Sequence, residues 1–172
     1  DSRMPGVHTQ IGTVLLGRRE WGLARRSLER AIEVNADDPE AWDGLGLAYR
    51  ALKQPQDAVF SHMRSIALMH YRPRTHLHLA MALGEVGRLG WAAKALRVAI
   101  GLEPENARAH SLLADLLERG LKRPERAAEH RKRAEEIRER TAQRQSGRAA
   151  KSEEDGTAER RNGRAAESEE NR

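Results

Sequence analysis

The chain has 172 residues, 3% aromatic and 38% apolar content, no cysteine, a formal net charge of +5 and a pI near 10.1. So few large apolar side chains argue against one globular core, and the lack of Cys excludes disulfides and thiolate metal sites. No apolar run approaches the roughly 20 residues of a membrane span, and no signal peptide is visible.

The strongest regularity is a step of 34 residues. Ile11, Leu45, Leu79 and Leu113 share it, each followed by a small residue: Gly12, Gly46, Ala80 and Ala114. Leu15, Tyr49, Leu83 and Leu117 repeat it one helical turn later on the same face. About nine residues on come Ala24, Ala58 and Ala92, then Leu28, His62 and Leu96, then Ala31, Ser65 and Ala99. Each unit is therefore expected to be two helices, and the small residues mark where the two approach closely.

Pro5, Pro39 and Pro73 sit at the same step, and Pro at a first helical position has a preset φ and loses no hydrogen bond. Asp38 and Asn106 precede helix starts as suitable caps. In chain order the predicted helices cover residues 6 to 17 and 21 to 34, then 39 to 52 and 55 to 68, then 73 to 86 and 89 to 102, and last 107 to 119 and 124 to 141. In the fourth pair the small residue due at Arg126 appears at Ala127, so one residue is inserted in the turn around Arg119 to Arg123. The last helix has only Ala127, Ala128, Ala134 and Ile137 as apolar contacts, which suits a terminal cap facing water.

Residues 141 to 172 hold seven basic and seven acidic residues with no Leu, Ile, Val or aromatic, and duplicate Gly147 to Glu154 as Gly163 to Glu170. That composition cannot offset the entropy of ordering, so this tail is expected to be disordered. Arg outnumbers Lys 26 to 5, which with abundant Ala and Gly suggests a GC-rich bacterial genome. The opening Asp1-Ser2-Arg3-Met4 directly ahead of the first helix suggests a piece cut from a longer polypeptide.

The order of large, small and Ala positions at this period resembles the tetratricopeptide repeat. The second unit carries it best, with Trp42, Leu45, Gly46, Tyr49 and Ala58 in the family's order. It departs at His62 and Ser65, where a large residue and Ala are expected. The third unit adds Gly87, Leu96, Ala99 and Pro104. The resemblance implies an all-α, right-handed α-solenoid of four antiparallel helix pairs over residues 5 to 140, in units 5 to 38, 39 to 72, 73 to 106 and 107 to 140. Its implied role is a protein-interaction module without enzymatic activity or cofactor. A weaker similarity links residues 61 to 79, with Arg123 to His130, to the repeat region after the catalytic domain of some bacterial alkaline-phosphatase-superfamily phosphodiesterases. That would make the chain a regulatory or scaffold appendage of a larger hydrolase.

The family's inner groove is lined by the first helix of each pair. Carried onto this chain, the groove positions are Thr9, Gln10 and Thr13, then Asp43, Leu47 and Arg50, then Arg74, Leu77, His78 and Met81, then Arg108, Ser111, Leu112 and Asp115. Arg74, His78 and Arg108 would suit a carboxylate or acidic peptide through charge-assisted hydrogen bonds. The carboxylate clamp of some members needs Lys and Asn where this chain has Thr9, Thr13 and Gly44, which argues against a ligand of that kind.

Seven histidines raise a metal hypothesis, which the register argues against. His8, His76 and His110 fall at the position of Trp42, a packing position, and His76 and His78 diverge by ~200° on one helix. No phosphate loop, nucleophile elbow or zinc-protease motif is present. The basic pI raises an RNA-binding reading, but the groove lacks aromatic residues for base stacking. The expected partner is a protein or peptide, with no membrane and no nucleic acid, in a compartment for which the cytoplasm is favoured.

Overall fold

The computed structural model describes the backbone of residues 6 to 170 and the side chains of residues 6 to 147. Pro5, expected to open the first helix, lies outside the described residues. Eight α-helices follow: α1 (Val7–Gly17), α2 (Trp21–Val34), α3 (Pro39–Ala51), α4 (Pro55–Leu68), α5 (Pro73–Glu85), α6 (Leu89–Leu102), α7 (Ala107–Asp115) and α8 (Pro124–Glu170), with a π-helical turn at Leu116–Gly120 between the last two. Each odd-numbered helix packs on the even-numbered helix after it, and that helix packs on the next pair, giving a right-handed α-solenoid.

The helix starts follow from their caps. Pro39 and Pro73 occupy first helical positions, the Asp38 carboxylate accepts from the amides of Glu40 and Ala41, and Asn106 Oδ1 accepts from the Ala109 amide. The turns within the pairs repeat as well. Arg19, Lys53 and Gly87, 34 residues apart, all have positive φ (61°, 63° and 80°), which closes each helix with a left-handed residue. The amide just after each of them, at Glu20, Gln54 and Arg88, donates to the carbonyl of Leu15, Tyr49 and Leu83.

The fourth pair shows where the inserted residue goes. Its left-handed residue is Lys122, one step late, and the bond to the Leu117 carbonyl comes from Arg123. The extra residue is taken up by the π-helical turn just before the loop, where each backbone bond spans one residue more than in an α-helix. After it the register resumes, with Ala127 and Ala134 buried and Arg126 exposed. Ala128, expected to be a core contact of this helix, is exposed, while Ile137 is buried as expected.

Burial divides the array into two apolar clusters. One gathers Ala24, Leu28, Ala41 and Leu45 from the first two pairs; the other gathers Leu77, Leu96, Leu113 and Leu117 from the last two. Between them lies a polar layer, since Asp43, Ser61, His62, Ser65, Thr75 and His76 are all buried. Ser65, where the repeat favours Ala, donates its hydroxyl to the Pro39 carbonyl at 2.7 Å.

The backbone of α8 continues without a break from residue 140 to Glu170, and all the side chains from Thr141 to Gly147 are exposed. None of the side chains from Thr141 to Gly147 is buried against the array. Removing residues 142 to 172 is therefore expected to leave the melting temperature nearly unchanged. The tail expected to be disordered is thus helical in its backbone to Glu170. With no large apolar side chain to hold it on the array, that helix is expected to open readily and its amides to exchange fast, and protection equal to that of α5 would count against this.

Candidate functional site

The Trp42 position carries one interaction in three units. Trp42 Nε1–H donates to the Ala36 carbonyl at 2.8 Å, His76 Nε2–H to the His70 carbonyl at 2.9 Å, and His110 Nε2–H to the Pro104 carbonyl at 3.2 Å. In each case the acceptor lies six residues upstream, in the turn between pairs. A ring N–H here ties the start of α3, α5 and α7 to the preceding turn, so His76 and His110 are packing residues, and His8 at the equivalent place is half-buried.

His110 makes a second contact. Because its Nε2 carries the proton given to Pro104, its Nδ1 is bare and accepts from His130 Nδ1–H of α8 at 3.0 Å. Burial lowers the His130 pKa first, the charge of His110 and of Arg97 adds to the shift, and Glu129 opposes it. A His whose folded pKa lies below its unfolded value binds fewer protons when folded. Its contribution to stability is complete above about pH 6.5 and is lost as pH falls through the folded value. The melting temperature is accordingly expected to fall from pH 7 to pH 5. His130→Gln, which keeps a donor for His110, is expected to flatten that slope; an unchanged slope would remove this pair from the account.

The expected groove residues divide into three groups. Arg74, Arg108, Asp115, Gln10 and Thr13 are exposed. Met81 and Leu112 are half-buried and share a cleft of about 510 Å³ with Asp115, Glu85 and Arg119, and the Arg108 guanidinium lies 3.9 Å from Met81 Sδ. Arg50 is held by Glu85 at 2.7 Å, Ser111 accepts from Arg138 at 2.7 Å, and Leu47 is half-buried. Three others point into the structure. Leu77 belongs to the second apolar cluster, Thr9 is buried and donates to Asp38 at 2.6 Å, and Asp43 is buried in the polar layer. A groove residue whose helix is also gripped by the neighbouring pair loses its solvent face, and periodicity alone does not register that neighbour.

Asp43 is the centre of that layer. Its Oδ1 accepts from His62 Nδ1 at 2.8 Å, and both its oxygens lie 3.2 Å from His78 Nδ1, the two rings being 5.6 Å apart. Burial pushes the Asp43 pKa up, but the hydrogen bonds and charge of His62 and His78 outweigh it and hold the carboxyl well below the usual range. His62, with no exposed surface, has its pKa lowered by burial, with Asp43 opposing. Sequence reasoning missed this constellation because it compared His78 only with His76 on its own helix. The available signal was His62 at a position held by Leu28 and Leu96 in the flanking units.

A second, larger cleft of about 650 Å³ lies between α4 and α6 over α5, with Met63, Ile66, Leu79, Leu83 and Trp91 among its lining. Its charged lining residues are Arg88 and Lys94, and Lys94 sits 4.4 Å from the exposed Trp91 ring. The groove positions taken from the odd helices did not include it. Among the described residues no helix is long and apolar enough to cross a membrane.

The tetratricopeptide repeat model matches residues 9 to 67 and 77 to 142, and the chain belongs to the tetratricopeptide repeat family. A peroxisomal targeting signal receptor from Kluyveromyces lactis is 27% identical over 103 residues, covering 59% of this chain; the chain spans 18% of that protein's length. Among solved structures, MamA superposes with a TM-score of 0.78 at 22% identity, covering 83% of each chain. The first tetratricopeptide domain of Spaghetti (RPAP3), bound to an HSP90 peptide, superposes with a TM-score of 0.65 at 19% identity, over 69% of this chain and 94% of that one. The similarity of residues 61 to 79 to alkaline-phosphatase-superfamily proteins is not borne out, since the family match and these neighbours are tetratricopeptide proteins.

Proposed function

We propose that the array of residues 5 to 140, in units 5 to 38, 39 to 72, 73 to 106 and 107 to 140, takes a peptide or extended segment of a partner protein in its inner groove. The module acts by binding and not by catalysis. The observation that carries this reading is the cleft of Met81 and Leu112 with the Arg108 guanidinium 3.9 Å from Met81 Sδ, and Arg74 exposed at the start of the helix that carries Met81. Apolar contact comes from Met81 and Leu112, Leu77 being buried, and the guanidinium groups select an acidic segment. The RPAP3 domain bound to an HSP90 peptide and the targeting-signal receptor agree with a peptide-binding use of this fold.

Arg74→Ala with Arg108→Ala is expected to weaken a partner found by pull-down and mapped to a peptide, and to reduce the salt dependence of its binding. Folding is expected to change little because both side chains are exposed. A second reading places the partner in the outer cleft between α4 and α6, favoured by its larger volume and the exposed Trp91 and Met63. Affinity that survives the double substitution but falls with Trp91→Ala, or with changes at Arg64 and Arg97, would move the binding site to that face.

A further inference from the structure

We propose that Asp43, His62 and His78 form a binding site for a divalent transition metal, with Zn²⁺ as the ion their chemistry fits best. The ligands come from three successive helices, α3, α4 and α5, so an ion there would tie the second helix pair to the third. Each offers one donor atom, a carboxylate oxygen from Asp43 and a ring nitrogen from each histidine, and these atoms all lie within 4.8 Å of one another. The shortest approaches between carboxylate and ring are 2.8 and 3.2 Å. Tetrahedral zinc, with bonds of about 2.0–2.2 Å to N and O, sets its ligands about 3.3–3.5 Å apart, so the His62 approach needs to open by roughly half an ångström, the His78 approach by less, and the widest donor separation to close by up to about 1.5 Å.

Two nitrogens and one carboxylate suit Zn²⁺ and its neighbours, whereas Mg²⁺ and Ca²⁺ prefer oxygen shells. The Asp43 and His78 side chains are each 12% exposed, which leaves one side of the site for a water as the fourth ligand. The repeat architecture does not require these residues. The equivalents of Asp43 are Thr9, Leu77 and Ser111, those of His78 are Gln10, Gly44 and Leu112, and those of His62 are Leu28 and Leu96. Coordination through Nδ1 moves each ring proton to Nε2, and His62 Nε2 is buried without a partner. That opposes binding, so the expected affinity is weaker than that of a structural zinc finger.

The test is titration of the chelator-treated chain with Zn²⁺ by calorimetry and with Co²⁺ by visible absorption. The expected results are one ion per chain, the intense visible bands of four-coordinate cobalt, and a melting temperature that rises with added Zn²⁺. His78→Ala, at the more open edge, is expected to weaken binding at least tenfold while its circular dichroism stays helical, and His130→Ala is expected to leave binding unchanged. Absence of saturable binding overturns the proposal. So does binding that survives both His78→Ala and His62→Gln, or that is lost with His130→Ala, because the ion would then sit at other histidines.

Discussion

Gly46→Ala is expected to destabilise the chain by about 1–3 kcal/mol, and Gly46→Leu by more, through overpacking. A Cβ at position 46 would stand 2.5 Å from His62 Cε1 and 2.7 Å from each ring nitrogen. The ring has nowhere to withdraw, since it is fully buried and tied to Asp43. The 34-residue column extends the argument to Gly12, whose added Cβ would stand 2.5 Å from Leu28 Cγ. Ala80→Leu and Ala114→Leu are expected to overpack in the same way, both positions being buried. Gly101 in α6 is the control, with no atom within 4 Å of an added Cβ. Gly101→Ala is expected to stabilise by about 0.5–1 kcal/mol through helix propensity alone. Denaturant unfolding of the set checks this, and a neutral Gly46→Ala would show that α3 and α4 are not held at this spacing.

Asp43→Leu is expected to cost about 2–4 kcal/mol, because it leaves His62 Nδ1–H without an acceptor at a site with no exposed surface. Adding His62→Leu is expected to recover most of that loss, since the pair then copies Leu77 and Leu96 of the third unit. His78, being partly exposed, finds water instead. The two changes are in direct contact, so a double-mutant cycle is expected to give a coupling of at least about 1 kcal/mol, measured in chelator-treated protein. Additive losses would mean that the two side chains do not depend on each other, and the polar layer would have to be held together by Ser65 and the packing of α4 alone.

The helices and their pairing were legible in the sequence because a 34-residue step places the same side chains at the same contacts. The columns at Leu45, Gly46 and Tyr49, the prolines and the caps each state a local requirement, and the repeat multiplies it. Even the inserted residue of the fourth pair could be counted from Ala127. That it forms a π-helical turn was not legible, because either the helix end or the loop could have taken it up, and only the packing of α8 on α7 decides between them. The candidate site was legible in the same uneven way. The exposure of Arg74 and Arg108 depends on their own helix, so periodicity was enough to expect it. Leu77, Thr9 and Asp43 depend on which neighbouring pair covers them, and the meeting of Asp43, His62 and His78 depends on three helices at once. Contacts between units are set by the angle and depth at which one pair settles on the next. Side-chain volumes across the whole interface decide those, and no single repeat records them.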